Sequence, residues 1–371
     1  MKPWMPRGAE WLAPVAGVLA LLACLWLGQA APQQALLSYL FAFLFFTGLA
    51  VGSLALAMVP PLTGGAWGFL IRPQVLAAAR TLPLMALLAL PILFGMRILY
   101  AWAHADVLAG DPLMRQQSWY LNPTFFSIRT AIYFALWLLF LLLFTRGVRR
   151  NHRLPRIAVP GLIVFALTTL LASTDWASSL LPHWHSSTFG MLVATGWMLA
   201  AMALAIVCTL HGVDGRQLQH SPLLQDLGNL LLMFVLGWAY LGFMQYLTIW
   251  IADLPAENVW YIPRTLTSWR TLAWFLIAFH FLLPFVVLLS RSAKRSRGCL
   301  LTVAAMLLVA NLADALWLVV PGFRATGFAL RWTDLLAPLG IGGLWLCLYL
   351  GQLRMERLAP TGPVASEAGH G

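Results

Sequence analysis

Long uninterrupted apolar runs set the pattern of this chain, and short polar stretches separate them. Ten runs stand out, at about 11–28, 35–59, 81–102, 127–145, 157–174, 189–210, 228–251, 271–289, 299–320 and 335–353. A helix needs about 20 apolar residues to cross the hydrocarbon of a bilayer. A spanning β-barrel would instead show short segments of alternating polarity. The pattern therefore predicts an all-α polytopic membrane protein of about ten transmembrane helices. The first run carries two readings. Lys2 and Arg7 precede it and it ends near Gly28, as a cleaved signal peptide would; its apolar run is longer than a usual signal core, which favours a retained helix.

Composition strengthens the membrane reading. Of 371 residues, 61% are hydrophobic and only 9% are charged, with 18 Trp and 21 Phe. An ordinary soluble domain carries roughly 25% charged residues. The net charge of +11 does not indicate nucleic-acid binding, because the basic residues are sorted by side. With the N-terminus inside, one face holds Lys2, Arg7, Arg72, Arg80, Arg146, Arg149, Arg150, Arg153, Arg156, Arg216, Arg291, Lys294, Arg295, Arg297, Arg354 and Arg357. The other holds Arg115, Arg129, Arg264, Arg270, Arg324 and Arg331, while Arg97 lies within the third run. That asymmetry is the positive-inside bias, and it predicts both termini in the cytoplasm.

A duplication is visible at a constant offset of 141 residues. WYLNPTFFSIRTAIYF (119–134) aligns with WYIPRTLTSWRTLAWF (260–275), and Arg129 falls on Arg270. The fourth and eighth helices are then equivalent and parallel, because an even number of spans separates them. The domain expectation follows: a peripheral helix in 1–34, a four-helix bundle in 35–174, a second in 175–320, a last helix in 321–354 and a polar tail in 355–371. Convergence of two interfacial anchors on the same composition is the competing explanation.

Candidate chemistry gathers at the less basic face. His104 lies between helices 3 and 4. Asp175, His183 and His185 lie between 5 and 6, and Gln245, Asp253, Glu257 and Arg264 between 7 and 8. These loops read either as a belt of interface anchors with paired charges or as a docking or small-molecule surface. Deeper lie His280 and Asp314, on the eighth and ninth helices. Charges within a bilayer are costly and mark function by default, and the ordinary pKa of histidine suits proton exchange near neutral pH. The two residues are the candidate proton path. A histidine bonded to a backbone carbonyl and a carboxylate pairing with an arginine are the plainer alternatives. Cys24, Cys208, Cys299 and Cys347 fall on or beside four different helices and make no CxxC motif. Together with the absence of a second histidine facing His280, this predicts no metal, haem or iron–sulfur cluster held by this chain. The sequence shows no phosphate-binding glycine loop.

Several co-ordered tracts resemble a known family. One is Asp175, Trp176, Ser179, Pro182, His183, Trp184, Ser187 and Thr188; another is Gln245, Ile249, Trp250, Ala252, Pro255 and Glu257. A third runs Tyr100, Trp102, Ala103, His104, Asp111, Pro112, Leu113, Tyr120, Leu121, Asn122, Phe125, Phe126 and Arg129. A fourth is His280, Phe281, Leu283, Pro284, Phe285, Leu288, Leu289, Ser290, Arg291, Lys294 and Arg295. Together they are similar to the NrfD-like membrane subunits, and most closely to the second such subunit of alternative complex III, over about residues 39–353. Leu181, His185, Asp253 and Gln116–Gln117 depart from the family pattern. The resemblance implies a bacterial inner-membrane subunit of a quinol-oxidising respiratory complex. Its partners would be membrane lipid, iron–sulfur and multihaem cytochrome subunits and a second NrfD-like subunit. Quinol is the candidate ligand, haem and iron–sulfur clusters belong to the partners, and the chain's role would be scaffolding, with proton conduction as a further candidate. The rival classes are a secondary transporter with a parallel repeat and a bare assembly scaffold.

Overall fold

The computed structural model describes residues 12–150, 154–212, 221–324 and 326–358. The expectations placed on Lys2, Arg7, Arg153 and Arg216, and on the tail from 359 onward, lie outside the described residues. Ten principal helices follow in order: α1 (Leu12–Gly28), α2 (Pro32–Met58), α3 (Trp67–Phe94, interrupted), α4 (Pro123–Arg149), α5 (Leu154–Trp176), α6 (Phe189–Gly212), α7 (Pro222–Ala252), α8 (Arg270–Leu289), α9 (Arg297–Val319) and α10 (Trp332–Leu358). Among the described residues, nine are long and apolar enough to cross a membrane; α1, with 17 residues, is shorter. The chain is a multi-pass, all-α membrane protein.

The apolar runs locate the helices well, and the one large difference is in α3. The run at 81–102 predicts its span, but the helical path begins at Trp67 and is broken at Arg80–Thr81 and again near Ala89. Pro83 and Pro91 explain the breaks, since each lacks an N–H and its ring collides with the carbonyl four residues back. Trp67–Ala79 looks like a loop in the sequence because Arg72 interrupts its apolar residues and Arg80 follows them. It packs instead under α2, α6 and α10, with Ile71 and Val75–Ala79 buried.

The core centres on α2, where 89% of the apolar window is buried, against 28% in α7 and α8. Little hydrophobic force drives helices together inside lipid, so close packing must do it, and small residues allow it. Gly48 and Gly52 of α2 receive Trp197 of α6: a Cβ at either would sit 2.3 Å from that tryptophan. A second glycine seam joins α1 to α10, where a Cβ at Gly17 would lie 2.9 Å from the Gly340 carbonyl oxygen.

Several of the larger contacts among α2–α9 repeat under exchange of α2–α5 with α6–α9, although the packing of α3 on α6 has no equal between α7 and α2. α2 packs on α3 as α6 does on α7, α4 on α5 as α8 does on α9, and α2 on α9 as α6 does on α5. That exchange pairs α4 with α8, as the offset of 141 does. α1 and α10 break the symmetry, because both lie against the first group of four.

Candidate functional site

At the less basic end, the first group closes around a buried ion pair. Asn122 caps α4, accepting from the Phe125 N–H at 2.8 Å, with Pro123 at the first helical position. Arg129 therefore falls nearly two turns inside the helix. Its Nε and Nη2 donate to the two Asp175 oxygens at 2.8 Å each, and Nη1 donates to the Tyr120 carbonyl at 2.8 Å. Tyr133 Oη adds a bond of 2.7 Å to the same carboxylate. Asp175 is fully buried and Arg129 nearly so. The guanidinium also lies 3.8 Å from the Tyr120 ring centre. Burial, with Asp175 nearby, pushes the Tyr120 hydroxyl up to about 12. Tyr100 Oη donates to the Trp176 carbonyl at 3.0 Å, and Trp102 Nε1 to that of Ser179 at 3.1 Å, so the two loops interlock.

The second group closes differently. Arg270, the counterpart of Arg129, stands at the first residue of α8 and is exposed. The buried cation is Arg264, fully enclosed in the short helix Ile262–Leu266. It donates to the carbonyls of Trp260 (2.7 Å), Trp317 (2.9 Å) and Leu318 (3.1 Å) and lies 3.5 Å above the Trp260 ring. Two of those carbonyls end α9, where the helix dipole favours a cation. Burial pulls the guanidinium down to about 9, still charged at neutral pH. Trp260 stacks on Trp184 at 4.1 Å.

The remaining outer-face residues separate into local pairs. His183 Nε2 meets Asp111 at 2.8 Å, both partly exposed. The Asp111 carboxyl lies below the usual range, chiefly because it accepts from the Met114 and Leu113 N–H groups, with His183 adding to the effect. His185 is 3.4 Å from Gln117, and His104 Nε2 is 2.5 Å from the Arg97 carbonyl. Gln245 is buried, accepting from Ser186 and donating to Tyr261, both at 3.3 Å. Asp253 caps α7 in the left-handed region (φ 44°) and accepts from Asn258 at 2.9 Å; Glu257 lies half-buried on the next turn.

Sequence reasoning passed over a third cluster. Arg324 donates to both Asp334 oxygens at 2.7 Å and to Gln34 at 2.7 Å, and Ser38 donates to Asp334 at 2.6 Å. It ties α2 to the start of α10. The available signal was an arginine and an aspartate ten residues apart in a loop flanked by apolar runs.

The deep pair is linked by an indole. His280 is fully buried, its two ring nitrogens have no hydrogen-bond partner, and its ring lies 4.1 Å from that of Trp238. Trp238 Nε1 donates to Asp314 at 3.2 Å. An indole has a donor and no acceptor, so it cannot itself pass a proton between the two. His280 sits in a π-helical stretch, Leu276–Leu282. Pro284 accounts for it: the ring obstructs the carbonyl four residues back, which is that of His280. Asp314 and Asn311 also line a cavity of about 30 Å³ among α2, α5, α6 and α9.

Among the described residues, no three His, Cys, Asp or Glu side chains come together as a metal site would require. Compared with models of known protein families and with curated proteins, the chain matches none.

Proposed function

We propose that this chain is an integral subunit of a quinol-oxidising respiratory complex of the alternative complex III type, set in the bacterial inner membrane with its basic end and both termini in the cytoplasm. It scaffolds the complex and offers a route for protons. Iron–sulfur and multihaem cytochrome subunits and a second NrfD-like subunit carry the electron transfer. The observation that supports this reading is the interlock of two tracts that bear the family resemblance: Tyr100, Trp102 and Arg129 of one bond to Trp176, Ser179 and Asp175 of the other. The matches belong to one built structure rather than to scattered positions.

A secondary transporter would need a solute site between the two groups of helices. The cavity beside Asp314, about 30 Å³, exceeds the roughly 10–15 Å³ one water needs and falls far below the roughly 300–1,000 Å³ of a ligand pocket. That favours water or a proton over an organic solute. Affinity purification from respiring membranes in mild detergent tests the proposal. Co-purifying haem and iron–sulfur subunits with quinol-dependent cytochrome reduction are expected. A chain that purifies without haem-bearing partners would overturn it. In the assembled complex, His280→Phe and Asp314→Asn should lower the proton-to-electron ratio. A normal ratio in both leaves scaffolding alone.

A further inference from the structure

A second cavity lies at the basic end, away from the outer-face residues and the His280–Asp314 pair. It is a cleft of about 190 Å³ between the end of α2, the first stretch of α3, the last turns of α4 and the start of α5. Its walls are apolar: Leu56, Val75, Phe144, Val148 and Leu154 contribute, and among the described residues Arg72 is the one charged residue lining it. Gly64 and Gly65 hold positive φ of 74° and 99°, which the missing Cβ permits, and a Cβ at Gly64 would meet nothing within 4 Å. The turn thus leaves the cleft open at its rim.

Arg72 is half-buried, and its guanidinium lies 4.6 Å from the Phe69 ring centre. Glu356, the acid whose field reaches it, is itself paired with Arg80. The rim is otherwise cationic: Arg146, Arg149 and Arg150 flank Val148 on α4, and Arg156 follows Leu154 on α5, all four exposed. Phe69 is 65% exposed beside the opening, an apolar surface open to an acyl chain.

An apolar slot with an arginine at its mouth, at the membrane boundary, matches one kind of molecule. We infer that this cleft binds an anionic glycerophospholipid of the adjoining leaflet, its phosphate on Arg72 and the upper part of an acyl chain against Val75, Phe144 and Val148. Basic pockets between membrane helices hold such headgroups by charge complementarity. A free phosphate would gain the arginine but leave the apolar walls bare. A zwitterionic lipid would bring its own cation to an already cationic rim. The inference does not depend on the respiratory reading.

The test uses the full chain purified in mild detergent, with native mass spectrometry of bound dioleoylphosphatidylglycerol and dioleoylphosphatidylcholine. The anionic lipid should be retained preferentially. Arg72→Gln should lower its retention about fivefold, the loss expected for one basic residue at an anionic surface. Arg72→Lys should keep most of it, and Arg270→Gln, exposed at the opposite end of the molecule, should change it little. On the unaltered chain, a phosphatidylglycerol with a photoreactive acyl chain should label residues within 56–75 or 144–154, the two stretches that line the cleft. Equal retention of the two lipids, unchanged retention in Arg72→Gln, or labelling confined to other helices would overturn the inference. So would displacement of the photoprobe by millimolar inorganic phosphate or by a quinone.

Discussion

The two groups of four helices end alike in sequence and differently in structure. In the first, Arg129 is buried against a carboxylate, Asp175. In the second, Arg270 is exposed, and Arg264 is buried on the bare carbonyls ending α9. The cause is local. Asn122 caps α4 directly before Pro123 and the helix runs on unbroken, whereas its counterpart by the 141-residue offset is Pro263, inside the short helix Ile262–Leu266, which ends at the extended Thr267 before α8 begins at Arg270. α8 consequently starts six residues later relative to the repeat, and Arg270 lands on the rim rather than inside. The counterpart of Asp175 is Leu316, so no carboxylate awaits a cation there. One position thus supplies the buried charge in the first group and another in the second. The neutralising element changes from a full charge to a helix end.

The comparison predicts unequal costs. Removing one partner of a buried ion pair strands the other, at about 3–5 kcal/mol. Asp175→Leu should therefore be the most damaging change, lowering folded yield and the melting temperature in detergent. Arg264→Met leaves no stranded charge, only carbonyls without a donor, and should cost about 1–3 kcal/mol. If thermal unfolding of the two variants coincides, the distinction between the two ends fails. Arg270→Gln should lie within about 0.5 kcal/mol of the unaltered protein, as exposed substitutions do. A loss as large as that of Arg264→Met would mean that Arg270 is buried after all.

Much of this was legible beforehand, for physical reasons. Spanning helices announce themselves because the bilayer imposes both length and apolarity. Asp175 stood out as an acid beside a long apolar run. The choice of Arg264 over Arg270 did not, because it depends on where a helix starts, and that turned on a break at Thr267. The π-helical stretch at His280 was in principle readable from Pro284, four residues on. The extension of α3 to Trp67 was hidden because Arg72 within it and Arg80 after it made an apolar helix look like a loop. The Arg324–Asp334 pair was hidden because both residues read as ordinary loop charges until folding buried them.

The smallest expected effect concerns the contact that joins the two groups at the surface. Asp111, in a loop of the first group, meets His183 at the entry to α6 of the second. The Asp111 carboxyl is held below its usual range mainly by the Met114 and Leu113 N–H groups, and less by His183. A carboxylate with a depressed folded pKa contributes stability that is present above its unfolded value, about 3.9, and lost as pH falls through the folded value. The segment Pro112–Gln117 should therefore keep its amide protection at neutral and mildly acidic pH and lose it only below that range. Hydrogen exchange at Leu113 and Met114, corrected for intrinsic rates, reads this directly. Asp111→Asn, which can still accept from both N–H groups, should make the protection flat with pH. His183→Ala should leave most of the pH dependence in place, because the backbone donors cause the larger part of the shift. Equal loss in Asp111→Asn and the unaltered chain would show that another group controls the segment. Abolition of the dependence by His183→Ala would make the ion pair, and not the cap, its source.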